Sequence, residues 1–283
     1  MAPRLRLQGY VAAAAPCAVL LRRAGPNLWS MIRWDLATDC FEEGEWLQAK
    51  IHVERCDISP DGAFFVWCMS RHWAWSTHSG RTVCTAVSRP PFFAPLAIVW
   101  HSSGSREGGG EFLPEPLAAS PEWSVAENFG PPPNLARRTW RDPRSVADEA
   151  ACRRRLHGWA PLCDESTAFI KPNHSGACLI ARDSAKGWFK RHGIRDAFAL
   201  KSAGRAELAL ETVDWADFDH RGDLLFSRHA ELFRLRAQDC SAGIGDWPTL
   251  LAQATLLADF TDRQFEHVDA PYNSVDMESA MIV

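Results

Sequence analysis

The sequence contains the same strand-turn-strand unit twice, and a third time in weaker form. Residues 55–66 (RCDISPDGAFFV) align without a gap with residues 215–226 (WADFDHRGDLLF), and the weaker copy covers residues 173–180 (NHSGACLI). In each copy a polar turn with one glycine precedes an apolar stretch. Glycine adopts the positive φ of tight turns, and apolar segments beside such turns indicate paired strands. The repeat therefore predicts a chain built from β-hairpins.

Two aspartates occupy equivalent positions in the two strong copies, Asp57 in the first and Asp217 in the second, as do Gly62 and Gly222. Pro60 suits the first turn because its ring presets φ. A short acidic side chain beside a turn often accepts hydrogen bonds from the turn amides. We expect Asp57 and Asp217 to have this structural role, with catalysis as the alternative.

The turn motif resembles that of a known family of repeats. Residues 59–62 (SPDG) resemble the hairpin of β-propeller repeats, and residues 32–36 (IRWDL) resemble the Trp-Asp strand end of propeller blades. Residues 55–62 together with residues 86–91 (AVSRPP) also resemble a bacterial family without an assigned activity. These resemblances imply a fold and no site. At roughly 40 to 45 residues per blade, the chain without its insertion has room for about five blades.

Further strand candidates surround the repeats and are bounded by Gly and Pro turns. Many short strands of this kind are typical of a barrel, sandwich or propeller. We therefore predict one all-β, propeller-like domain over residues 1–283. The other predicted strands cover residues 18–23, 30–36, 82–87, 96–100, 230–235 and 255–260.

Residues 102–161 are predicted to be an irregular insertion with one helix. A Gly/Ser-rich run over 102–110 is expected to be a surface loop, or a place where backbones approach closely. It lacks the Gly-Lys-Ser/Thr that a phosphate-binding loop needs. A helix near 143–157 is predicted because Asp142 suits the N-cap and Pro143 the first helical position.

Arginines are concentrated in the second half of this insertion. Seven lie between residues 137 and 155, against three acidic residues, although the whole chain carries a formal charge of −4. Such a patch is suited to an acidic partner or to phosphate, and the alternative is a solvated helix face. The residues predicted to bind a partner are Arg137, Arg138, Arg141, Arg153, Arg154 and Arg155.

Tryptophan is unusually frequent, with 13 Trp against 2 Tyr. Most of these rings are expected in the core, but Trp73, Trp75 and Trp123 have polar or loop neighbours and are candidates for stacking on a ligand. Asp217 and Asp219 would share one strand face, which suits two-carboxylate glycoside chemistry. Carbohydrate binding or processing is therefore one alternative function.

The sequence shows no recognisable metal, cofactor or nucleophile motif. HExxH and CxxC spacings are absent, as is the Gly-x-Ser-x-Gly elbow. We therefore expect no metal, no cofactor and no catalytic residue. The odd count of 9 Cys indicates reduced thiols in a cytoplasmic protein. No apolar run approaches the roughly 18 residues of a membrane-spanning helix, so no membrane partner is expected.

The leading functional expectation is a non-catalytic binding or scaffolding module with a protein partner. It follows from the propeller resemblance and from the lack of a catalytic motif. One alternative is carbohydrate binding or glycoside processing. The other is binding of nucleic acid, or of an acidic partner, through the arginine-rich insertion.

Overall fold

A computed structural model describes most of the chain. The ranges it describes are 5–70, 83–101, 108–114, 123–137, 157–162, 168–183, 196–242 and 245–276. Several predictions lie outside these ranges: residues 143–156 of the helix, and Trp73, Trp75, Arg138, Arg141, Arg153, Arg154 and Arg155.

The chain divides into two compact units. The first comprises Ala12–Val146 and Phe265–Val283, and the second comprises Ala2–Val11 and Ala147–Gln264; Met1 groups with the first. Among the described residues β-strands dominate both units, which confirms the predicted all-β class.

Strand β1 (Arg6–Val11) belongs to the second unit, and the next eleven strands belong to the first. They are β2 (Cys17–Arg23), β3 (Leu28–Asp35), β4 (Cys40–Gln48), β5 (Lys50–Ile51), β6 (Asp57–Ile58), β7 (Phe65–Ser70), β8 (Val83–Ser88), β9 (Ala97–His101), β10 (Gly110–Phe112), β11 (Ser124–Val125) and β12 (Leu135–Arg137). A 3-10 turn at Val53–Arg55 separates β5 from β6.

The second unit contains the remaining strands and two short helices. The strands are β13 (Ala160–Pro161), β14 (Ala168–Pro172), β15 (Ala177–Asp183), β16 (Asp196–Ser202), β17 (Leu208–Ala209), β18 (Trp215–Phe218), β19 (Leu224–Arg228), β20 (Glu231–Leu235) and β21 (Thr255–Asp259). The helices are α1 (Ala237–Ser241) and α2 (Trp247–Gln253).

Strands that follow one another in the chain mostly pair with one another. In the first unit one sheet contains the order β2-β3-β4, a second has the order β11-β9-β8-β7-β5 with β6 also on β7, and β10 pairs with β12. In the second unit the orders are β13-β14-β15-β16-β17 and β18-β19-β20-β21. The pairs with a described register are antiparallel, and the predicted strands are confirmed with small shifts at their ends.

The repeated turns have the conformation that their glycines predict. Gly62, Gly176 and Gly222 have φ of +72°, +87° and +77°. The amide of Gly62 donates to the carbonyl of Ser59, and the amide of Gly222 donates to that of Asp219, at 2.8 and 3.0 Å. Each of the three copies thus has a glycine at positive φ in a turn, and the three turns join strands of three different sheets.

The carboxylates of Asp57 and Asp217 each accept the amide of the following residue, Ile58 and Phe218, at 2.9 and 2.7 Å. In the first copy a turn amide, that of Ala63, instead donates to Asp61, at 3.0 Å. Asp57 is buried, and its Oδ2 accepts the amide of Phe112 from β10 at 2.9 Å. This carboxylate therefore fastens the hairpin to another strand.

The C-terminal segment packs on the connection between β8 and β9. The hydroxyl of Tyr272 donates to the carbonyl of Ala94 at 2.9 Å and accepts the amide of Arg89 at 3.3 Å. Its ring meets Phe92 edge to face, at 5.9 Å between centroids. Burial raises the pKa of Tyr272 to about 12, so the hydroxyl keeps its proton at neutral pH.

Tyr272→Phe should therefore lower the free energy of unfolding by about 1 to 2 kcal/mol, because two hydrogen bonds are lost while the ring is kept. Urea denaturation at neutral pH measures this difference. An unchanged midpoint would mean that the Tyr272 hydroxyl adds nothing measurable to stability.

Seven cysteines are described as free thiols, and Cys56, Cys68, Cys84 and Cys240 among them are buried. Within the described ranges, no helix has both the length and the apolar character needed to cross a membrane.

Candidate functional site

One face of the sheet that contains β7, β8 and β9 carries polar side chains close together in the interior. Directly opposed residues of antiparallel strands point to the same face. Ser70 opposes Val83, and Val83 opposes His101; in the next row Cys68 opposes Thr85. The register alone therefore places two hydroxyl groups and one imidazole on this face.

A second imidazole reaches the same face from the other side of β7. The amide of His52 donates to the carbonyl of Cys68 at 2.9 Å, which extends the ladder by one residue beyond β5. His52 Nε2 then lies 3.1 Å from Ser70 Oγ. Its Nδ1 lies 3.6 Å from Oε1 of Glu54, which follows within the 3-10 turn. These three side chains form a hydroxyl–imidazole–carboxylate series.

Glu54 is held in its ionised form. Burial by itself raises its pKa, but the neighbouring His52 ring and the Arg55 guanidinium outweigh burial and lower the pKa to about 2. Arg55 Nε lies 3.8 Å from the same carboxylate oxygen. An ionised carboxylate beside Nδ1 favours the imidazole tautomer whose proton is on that nitrogen.

Thr85 and His101 form a second hydroxyl–imidazole pair, with 2.8 Å between Thr85 Oγ1 and His101 Nε2. The amide of Gly109 donates to the same hydroxyl oxygen at 2.7 Å. The Thr85 oxygen is thus bound from two sides, by the ring and by the main chain.

The glycines at the end of the Gly/Ser run pack directly on this polar face. Gly108 and Gly109 have φ of +102° and +98° and are buried. A Cβ on Gly108 would lie 2.9 Å from Cys68 Sγ, and a Cβ on Gly109 would lie 2.7 Å from Cβ of Arg55. Of the two alternatives for residues 102–110, close backbone approach therefore describes residues 108–110, and residues 102–107 lie outside the described ranges.

Of the six arginines predicted to bind a partner, one lies within the described ranges. Arg137 ends β12, where its backbone opposes Gly110, and the other five arginines lie outside those ranges. Trp123 is half-buried and packs against a buried cluster that includes Val66 and Phe112. Ligand stacking by Trp123, Trp73 and Trp75 stays a prediction.

The carboxylates proposed for glycoside chemistry are both engaged by neighbouring groups. Asp217 Oδ1 accepts Lys171 Nζ at 2.6 Å and the amide of Phe218 at 2.7 Å. Asp219 Oδ1 accepts the turn amide of Arg221 at 2.9 Å. Asp219 thus has the turn-binding role that had been expected of Asp217.

The Ser70–His52–Glu54 series was not predicted from the sequence. Its signal is weak: a His-x-Glu triplet, and a serine that ends an otherwise apolar strand. The residues meet only because β5 and β7 pair in one particular register. No group of three or more metal-ligating side chains occurs among the described residues.

No family model and no curated protein matches the chain. Among solved structures, a protein of Listeria monocytogenes described as uncharacterised aligns with 81% of this chain, at 10% identity and a TM-score of 0.31. The alignment covers 61% of that protein, so this chain spans less than two thirds of its length. A similarity this low supports no inference about fold or function.

Proposed function

We propose that this protein is a propeller-like binding or scaffolding module of the cytoplasm, with the sheets as about five blades. The observation that carries the proposal is the recurrence of one turn, centred on Gly62, Gly176 and Gly222, in three antiparallel sheets. Repetition of one hairpin unit is the sequence and structural signature of repeat architectures. In such folds the binding residues commonly lie on the loops that the strands position.

The buried carboxylates of the repeat support a structural role for the strands and a binding role for the loops between them. Asp57 binds the main chain of β10, and Asp217 binds Lys171 of β14. Both hold neighbouring strands together, so the repeat supplies the scaffold and leaves recognition to the segments between the strands.

We assign recognition to the arginine-rich segment, residues 137–155. Seven arginines against three acids give it a positive charge within a chain of net charge −4. Arginine pairs with carboxylates and phosphates through two parallel hydrogen bonds. The partner expected from this chemistry is a protein with an acidic surface.

Charge reversal tests this assignment. In a tagged pull-down from the native host, the Arg153→Glu, Arg154→Glu, Arg155→Glu triple variant should capture at least about tenfold less of the principal partner, because like charges then face each other. Nuclease treatment separates a protein partner from one held through nucleic acid. Mass spectrometry measures the bound amounts.

The matched control reverses three exposed cations elsewhere: Lys201→Glu, Arg205→Glu and Arg263→Glu. Both triple variants have the same net charge, so a general charge effect would reduce capture equally in both. Equal loss, or no loss in the first variant, would contradict the assignment. Capture that disappears with nuclease would support the nucleic-acid alternative instead.

A further inference from the structure

The Ser70–His52–Glu54 series has the arrangement of an activated nucleophile. Such sites place a hydroxyl within hydrogen-bond reach of a base, and orient the base by a third group. Here the hydroxyl-to-imidazole distance is 3.1 Å and the imidazole-to-carboxylate distance is 3.6 Å. Each imidazole nitrogen therefore faces a different neighbour, as the roles of base and orienting acid require.

The second hydroxyl–imidazole pair shows why Ser70 is the candidate. Thr85 Oγ1 is already bound by the amide of Gly109 as well as by His101. A hydroxyl oxygen that accepts a main-chain hydrogen bond has less electron density to offer an electrophile. Ser70 also ends its strand, whereas Thr85 lies in the middle of β8.

We propose that Ser70 is a nucleophile toward small carboxylic esters, with His52 as its general base and Glu54 as a positioning residue. This inference goes beyond the proposed binding function and does not rest on it. The two can fail separately, because partner capture is assigned to residues 137–155.

The reaction has two balanced steps. Ser70 Oγ attacks the ester carbonyl carbon as His52 Nε2 takes the hydroxyl proton, and the tetrahedral intermediate expels the alcohol, which receives that proton from His52. An acyl group is then esterified to Ser70. Water attacks the acyl carbon in the second step, with His52 again taking and returning one proton, and releases the carboxylic acid.

Burial sets the size of the substrate. Ser70 is only 3% exposed and His52 only 7%. A polypeptide chain cannot reach such a hydroxyl without local opening, so the acyl group must be short. The substrate class is therefore an ester with a short acyl chain and a good leaving group.

The experiment uses p-nitrophenyl acetate with the full-length protein. The wild type should release a burst of about one p-nitrophenol per chain, the signature of an accumulating acyl intermediate. Ser70→Ala removes a single oxygen and should lower the burst rate at least about 100-fold, and His52→Gln should do the same. Ser70→Cys keeps a nucleophile of similar shape and should retain the burst.

Thr85→Val is the matched control, because it removes the other hydroxyl of the same buried face. It should leave the burst rate within about threefold of the wild type, since no general base acts on Thr85 in the proposed reaction. Glu54→Gln should lower the acylation rate about tenfold or more without raising KM, and Glu54→Asp should restore part of it. A purely structural role for Glu54 would not lower the acylation rate while leaving KM unchanged.

Three outcomes would overturn the proposal: no burst from the wild type, an unchanged burst in Ser70→Ala, or equal losses in Ser70→Ala and Thr85→Val. Circular dichroism and tryptophan fluorescence report whether each variant folds. If Ser70→Ala fails to fold, the burst rates of Ser70→Cys and Glu54→Gln decide whether Ser70 is the nucleophile. Partner capture by Ser70→Ala should equal that of the wild type.

Discussion

Replacing Arg234 by leucine is expected to lower the free energy of unfolding by about 3 to 5 kcal/mol at pH 7. Its terminal nitrogens lie 3.8 Å from Oδ2 of Asp219 and 4.0 Å from Oδ2 of Asp223. All three side chains are buried. Removal of the cation leaves two carboxylates near each other in surroundings that solvate charge poorly. Urea denaturation followed by tryptophan fluorescence measures the loss.

The loss should shrink as the pH is lowered from 7 towards 5. Burial raises the pKa of Asp219 even in the wild type, and the charge of Arg234 acts in the opposite direction. Without Arg234 the folded-state pKa rises further above its value in the unfolded chain. Such a group binds its proton preferentially in the folded state, so acidification stabilises the variant relative to the wild type.

Arg236→Leu is the matched control for Arg234→Leu. Arg236 lies 3.2 Å from the same oxygen of Asp223, but its side chain is 59% exposed. Exposed ion pairs contribute roughly 0 to 1 kcal/mol, so we expect a loss below about 1 kcal/mol. Equal losses in the two variants would contradict the role assigned to burial.

Replacing Gly44 by alanine is the second substitution with a large expected effect, a loss of about 3 kcal/mol. The pairing of β3 with β4 shifts by one residue, so that Gly44 and Glu45 together oppose Met31 as a β-bulge. A Cβ on Gly44 would lie 2.1 Å from the carbonyl oxygen of Pro91 and 2.5 Å from its Cβ. Backbone cannot rotate away as a flexible side chain can, so the connection after β8 has to move.

That movement would disturb several hydrogen bonds at once. The amide of Glu45 donates to the carbonyl of Pro91 at 3.0 Å, and Glu45 Oε2 accepts the amides of Phe93 and Ala94, each at 2.7 Å. Gly130→Ala is the control, because no atom lies within 4 Å of the Cβ it would add. Its unfolding free energy should stay within about 0.5 kcal/mol of the wild type. A small effect at Gly44 would show that the bulge tolerates displacement.

Local features of the fold could be predicted from the sequence because a few adjacent residues determine them. The turns at Gly62 and Gly222 depend on one glycine at positive φ and on hydrogen bonds within four or five residues. Strand positions followed from apolar runs between turn residues. The all-β class required only the number of such runs.

Contacts between distant residues could not be predicted in the same way. The partner of Asp57 is the amide of Phe112, and a hairpin motif carries no information about which strand lies opposite its carboxylate. The meeting of His52 with Ser70 depends on the register between β5 and β7. A shift of β5 by one residue against β7 would send His52 to the other face of the sheet, away from Ser70.

Chemical labelling of the intact protein with diisopropyl fluorophosphate tests the nucleophilic site most directly. This reagent phosphorylates serines that a neighbouring base activates. Trypsin should release residues 56–71, which contain Ser59 and Ser70, and fragmentation of that peptide separates the two serines. We predict one adduct, on Ser70, that is lost in His52→Gln. An unlabelled Ser70, or labelling unaffected by His52→Gln, would contradict the account.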